Sequence, residues 1–137
     1  MVDGEGARGV VYIDRSDVHP ERWGELVDGV RALAAFVESQ QPQMGAYAVY
    51  LDEKAHRMTV MSVHPDSASI ERHIEIGGPE FKRLAPFLEL REIEVFGHLS
   101  ERAHELVRQK AAALGEDGSV TLHEQFAGFD RLDLLRP

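Results

Sequence analysis

The sequence predicts an α+β fold with elements in the order β-α-β-β-α-β, followed by an extra helix and strand. Two observations carry this. The run YAVYLDEKAHRMTVMSVHPDSASIERH, residues 47–73, reads as a strand, a tight connection, a second strand and an immediate turn into a capped helix. On either side of it, segments rich in β-branched residues are separated by segments whose apolar residues recur at steps of three and four.

Residues 9–14, GVVYID, form a short β-branched strand. Pro20 then suits the first turn of a helix, where its missing N–H would be unpaired in any case. Trp23, Leu26, Val30, Leu33 and Val37 make a helical stripe running to about Ser39, with Gly24 and Gly29 inside it and Pro42 marking the break. Residues 46–51 and 58–64 are the next two strands, joined as a hairpin through 52–57. After Pro65, Asp66 or Ser67 can cap a second helix by accepting a bond from its free N–H groups. Ile70, His73 and Ile74 share one side of that helix. Gly77-Gly78-Pro79 is expected to interrupt it, leaving a second helical piece that carries Phe81, Leu84 and Leu88, with Pro86 near its end. Residues 92–98 read as a fourth strand. Ser100 caps a third helix to Leu114, striped by Ala103, Leu106, Val107 and Leu114, and Gly115 stops it. Val120, Leu122 and Phe126 alternate with Thr121, His123 and Gln125 as a final half-exposed strand. The first six elements are the ferredoxin-like split βαβ arrangement, which many unrelated functions share.

Composition bounds the function. With 137 residues the chain is one domain, long enough to bury about 68% of its unfolded surface. Residues 1–8 read as a disordered lead-in, 9–129 as the domain and 130–137 as a tail. No run approaches the roughly 18 apolar residues of a membrane span, and the start lacks a basic leader and apolar core. The absence of cysteine excludes thiol catalysis and disulfides and fits a cytoplasmic protein. A net charge of −9 without a basic cluster argues against nucleic acid as a partner.

Both faces of the sheet read as apolar. Val10, Val11, Tyr12 and Ile13 are consecutive, Tyr47, Val49 and Leu51 alternate with Ala48 and Tyr50, and Met58 and Val60 alternate with Met61 and Val63. Helices cover one face only, so the other needs a lid: the chain's own residues 100–129, or a second copy. A two-fold contact of identical sheets is the simpler closed solution, so a homodimer is expected.

On the strand pair AYAVYLD and RMTVMSVHPD, the helix SIERH and the later GPEFKRL, the chain resembles the dimeric α+β barrel proteins related to antibiotic biosynthesis monooxygenases, over roughly residues 9–98. The resemblance implies two sheets closing into a barrel across a dimer and a pocket between each sheet and its helices. It also implies a C-terminal helix and strand that reach the partner. Such proteins include oxygenases of electron-rich aromatics or quinols that use no cofactor, haem-degrading members, and members without known activity. The family's helix-2 histidine maps onto His73. Trp23, the single tryptophan, lies on the first helix, so the Asn and Trp that accompany that histidine in haem-degrading members have no counterpart.

Chemistry concentrates at His64, Asp66, Ser69 and His73. An imidazole with a pKa near 6.5 suits proton transfer at neutral pH, which makes His73 the candidate catalytic group. Ser69 lies one turn earlier and Asp66 two turns earlier, so either could orient its ring. His64, ending its strand, is a candidate for a pocket mouth, and Tyr12 and Tyr50 for hydroxyls in a cavity. Packing is the plainer role for each tyrosine, shaping the turn before Pro65 and Asp66 for His64, and a hydrogen bond to Ser69 or a place near solvent at the helix end for His73. The spacings of His64, Asp66, His73 and His98 match no metal-site pattern. Three functions compete: a cofactor-independent monooxygenase acting on a small aromatic or quinol-type molecule, a non-catalytic ligand-binding or structural dimer module, and, third, haem binding.

Overall fold

The computed structural model describes residues 8–132; most of the lead-in and the end of the tail lie outside them. The strands are β1 (Val10–Val18), β2 (Ala46–Asp52), β3 (Arg57–His64), β4 (Leu88–Phe96) and β5 (Ser119–His123). The helices are α1 (Trp23–Gln40), α2 (Ser67–Lys82) and α3 (Glu101–Leu114). One sheet holds all the strands in the order β2-β3-β1-β4-β5, antiparallel except that β5 runs parallel to β4. The first four strands have the ferredoxin-like order, and β5 extends that sheet at its β4 edge.

Each helix forms because its buried residues keep a helical period. In α1 these are Leu26, Val30, Leu33 and Val37, as the stripe in the sequence requires. Helix α3 starts where the Ser100 hydroxyl accepts the Ala103 N–H at 3.0 Å. Asp66 caps α2 in the same way, accepting the Ser69 N–H at 3.0 Å. Gly77-Gly78-Pro79 does not break α2, contrary to expectation. Proline removes one helical hydrogen bond, but Ile70, Ile74, Gly77 and Phe81 stay in phase across it, and all four are buried. Their burial outweighs the lost bond.

The other corrections concern strand limits. Strand β1 runs four residues past Asp14, because it lies between β3 and β4 and both pair with it along its length. Strand β4 occupies Leu88–Phe96 rather than 92–98. Arg15 pairs with Glu92 but Ser16 with Leu90, so Arg91 is an extra residue on β4. That bulge switches the inward positions from Leu88 and Leu90 to Ile93 and Val95, which breaks the period of two. Strand β5 stops at His123, and the Phe126 expected on it is fully exposed beyond it.

The helices and the inward side chains of the sheet enclose one core, which includes Val10, Tyr12, Val60, Ile70, Ile93, Val95 and Val107. Helix α3 belongs to this layer, since Lys110 meets the inward Tyr12 and Asp14. The chain's own extra elements therefore do not cover the far face, one of the two lids the sequence allowed. That face is apolar toward one end only. Val11, Ile13, Ala48, Met61 and Val63 fill one end, while Arg15, Asp17, Arg57 and Glu92 form ion pairs at the other.

Candidate functional site

A buried polar centre lies between the inward face of the sheet and the helices. Strand β1 contributes Tyr12, Asp14 and Ser16, which share the parity of Val10 and so point toward the helices. Strand β3 contributes Ser62 and His64, helix α2 contributes Ser69 and His73, and helix α3 contributes Lys110. Gln41, at the end of α1, completes the set. Burying this many polar groups is unfavourable unless they pair, and most of them do.

His64 is held at both nitrogens, by Ser62 Oγ at 2.9 Å and Ser69 Oγ at 2.7 Å. It has no exposed surface, and burial, with Lys110 adding repulsion, lowers its pKa to about 3. Ser69 thus serves His64 and not His73. Asp66 is an exposed cap and does not orient His73 either. The partner of His73 is Gln41, whose Oε1 lies 2.9 Å from Nδ1. An amide oxygen can only accept, so Nδ1 carries the proton and Nε2 keeps a free lone pair. Burial first, then Lys110 and His64, hold His73 well below its usual pKa, so the ring is neutral at physiological pH.

A second cluster adjoins the first. Tyr12 donates to Asp14 Oδ2 at 2.6 Å, and Lys110 Nζ lies 3.5 Å from the same oxygen. The ammonium also stands 4.0 Å from the Phe81 ring centre and 4.6 Å from that of Tyr12, placements that favour a cation. Burial lowers the Lys110 pKa and Asp14 opposes that shift. Burial also raises Tyr12 well above 10 and raises Tyr47, so both phenols stay protonated. The Phe81 ring joins the two clusters, with its centre 5.1 Å from that of His73. His73 further meets Tyr47 at 5.8 Å and His64 at 5.4 Å.

A cavity of about 20 Å³ lies in this centre, lined among others by Asp14, Ser16, Tyr47, Phe81 and Lys110. That is room for one water-sized group. A groove of about 220 Å³ between α2 and α3 leads toward it from outside and shares Phe81, Lys110 and Leu114 with its wall. Gly77 gives the Phe81 ring its place, because a Cβ there would come within 2.6 Å of the ring. A larger hollow of about 590 Å³ lies on the opposite face, but the charges around it, Arg15, Asp17, Arg57 and Arg91, already pair with one another or with Glu92. Tyr50 stands beside that hollow, 59% exposed and across the sheet from His73.

The fold therefore brings His64, Ser69, His73 and Tyr12 together and leaves Asp66 and Tyr50 outside. Sequence reasoning missed Asp14, Ser16, Gln41 and Lys110. The signal for Lys110 was present: it falls at the position that continues the stripe of Ala103, Leu106, Val107, Ala111 and Leu114. Among the described residues no three His, Asp or Glu side chains group as a metal centre requires, and no helix is long and apolar enough to cross a membrane.

No protein-family model and no curated sequence matches the chain. Solved structures do. MupZ from Pseudomonas fluorescens superposes with a TM-score of 0.72 over 99% of both chains at 11% identity. SnoaB from Streptomyces nogalater, a cofactor-independent oxygenase, gives 0.56 at 20% identity, over 69% of this chain and 96% of its own. A protein from Caulobacter crescentus CB15, provisionally described as an antibiotic biosynthesis monooxygenase, gives 0.57 at 15% identity, over 67% and 92%. Likeness at such identities is likeness of architecture, and this chain has the ferredoxin-like α+β fold of the antibiotic biosynthesis monooxygenase-like structures.

Proposed function

We propose that the protein is a cofactor-independent, monooxygenase-like enzyme whose substrate is a small aromatic or quinol-type molecule bound in the helix-side centre. The observation that supports this is the pair of groups that meet the Phe81 ring: a neutral His73, its ring centre 5.1 Å away, and the Lys110 ammonium, 4.0 Å from the ring centre. An aromatic substrate taking the place of that ring would meet both a proton acceptor and a positive charge. His73 Nε2 accepts a proton from the substrate, and Lys110 stabilises the anion that forms. The anion then gives electrons to dioxygen directly, so the reading calls for neither metal nor flavin. The low proton affinity of His73 suits this only with the anion beside it, since that charge raises the proton affinity of the ring.

The protein acts as a homodimer on this reading. The support is the apolar end of the far face, which is overlain by none of the described strands or α-helices, while Leu132 of the tail packs at its edge by Gly9 and Gly45. A twin sheet placed there would remove Val11, Ile13, Met61 and Val63 from water.

The test is oxygen uptake with a panel of hydroquinones and related phenols. Uptake above the buffer blank is expected, falling about 100-fold or more in His73→Ala. Uptake equal to the blank across the panel, or unchanged in the variant, ends the proposal. A second reading, a non-catalytic ligand-binding or structural module, draws support from the closed state of the centre, where the cavity is only about 20 Å³. Absence of both uptake and ligand-induced thermal shift would favour it.

A further inference from the structure

Three buried polar groups face the small cavity with bonding capacity left over. Asp14 Oδ1 and Ser16 Oγ have no hydrogen-bond partner among the described residues, although both residues are at least 97% buried. Lys110 Nζ has Asp14 Oδ2 as its ion-pair partner at 3.5 Å, longer than the usual 2.7–3.2 Å of a hydrogen bond. A buried polar atom without a partner is unfavourable, so two such oxygens and a loosely held ammonium around one water-sized space make a site for a group that completes them.

The chemistry of the three groups selects that group. A carboxylate oxygen accepts, an ammonium donates, and a serine hydroxyl does either. A carbonyl would satisfy the lysine but leave Asp14 facing another acceptor, and a second ammonium would face Lys110. A hydroxyl donates to Asp14 and accepts from Lys110 or Ser16 at once. It also fits a cavity of about 20 Å³.

The Phe81 ring decides what carries the hydroxyl. It lies 4.0 Å from Lys110 Nζ and lines both the cavity and the α2–α3 groove. A cavity of about 150 Å³ holds a benzene ring, and the groove has about 220 Å³. We propose that Asp14, Ser16 and Lys110 form the recognition site for a phenolic hydroxyl, whose ring enters by the α2–α3 groove and takes the place of Phe81. This rests on the reading of the helix-side centre as the substrate site, and within that reading it assigns the residues that hold the substrate's hydroxyl.

Phenol and toluene test it, because they differ by the group in question and share a ring. Binding to the intact protein is followed by NMR shifts of residues lining the groove. Phenol is expected to bind about tenfold more tightly than toluene or better, and Ser16→Ala to narrow that ratio. Phe81→Ala vacates the ring position and is expected to gain more thermal stability from phenol than from toluene. Equal binding of the two probes to the intact protein overturns the proposal, whether or not the Phe81 variant folds. So does an equal stabilisation of that variant, which would mark the space as a plain apolar hole. The oxygenase reading fails separately: phenol selectivity without oxygen uptake keeps the hydroxyl site and removes the reaction. Uptake without phenol selectivity does the reverse.

Discussion

His64 and His73 are buried among aromatic rings, hydroxyls and an amide, with a lysine near both, and this fixes how the protein responds to acid. Both have folded pKa values below that of the unfolded chain. As pH falls through about 6.5 the unfolded state takes up protons that the folded state refuses. Their stabilising contribution is therefore complete above about 6.5 and declines toward the folded value, about 3 for His64. The slope is about 1.4 kcal/mol per pH unit for each ring. Urea unfolding between pH 7 and 4 should show this decline, shallower by about that amount per unit in His64→Gln. Parallel slopes in the two proteins would contradict it. The pair Asp14–Lys110 gives a second prediction at this scale. Lys110→Met leaves a buried carboxylate without its cation and should destabilise by about 3–5 kcal/mol. Adding Asp14→Asn removes the stranded charge and should restore more than half of the loss in a double-mutant cycle. His73 and His64 stood out in the sequence because histidines next to a helix cap are conspicuous. Asp14 and Gln41 did not, because a polar residue gives no sign of burial until another element closes over it.

Helix starts were readable, since capping is local chemistry within four residues. Asp66→Ala and Ser100→Ala should each cost about 1 kcal/mol in chemical unfolding, with Ser100 the larger. Its hydroxyl also donates to Glu71 at 2.7 Å, and its N–H donates to Ser67 at 2.8 Å, so it ties the start of α3 to α2. Strand ends were harder. The bulge at Arg91 shifts the phase of β4, and a search for strict alternation begins counting at the wrong residue. Gly115 was legible as a helix stop, but its geometry has another cause. Its φ of −166° is ordinary extended backbone, and a Cβ there would lie 2.3 Å from the Leu90 carbonyl oxygen. Gly115→Ala should therefore push α3 off β4, lowering the unfolding midpoint well beyond the effect of the same change at Gly24, where a Cβ meets nothing within 4 Å.

At the scale of the molecule, the far face of the sheet sets the expectation. Its apolar end suits a copy of itself, and its ion-paired end would lie at the rim of such a contact. Light scattering should give twice the 15.3 kDa of one chain at micromolar concentration. Ile13→Lys should return the mass to that of one chain while leaving the circular dichroism unchanged, since Ile13 faces away from the core. A single-chain mass for the parent protein would remove the dimer.

Local periodicity and capping, properties of neighbours along the chain, determined by themselves the element order, the three helix faces, the hairpin and the histidine-bearing turn into α2. The chain could not announce which strand edge β5 would extend, that α3 would join the helical layer, or that Asp14 and Lys110, 96 positions apart, would meet over one cavity. Those are contacts between elements distant in sequence, and only the closing of helices over the sheet brings their polar groups out of water and into each other's reach.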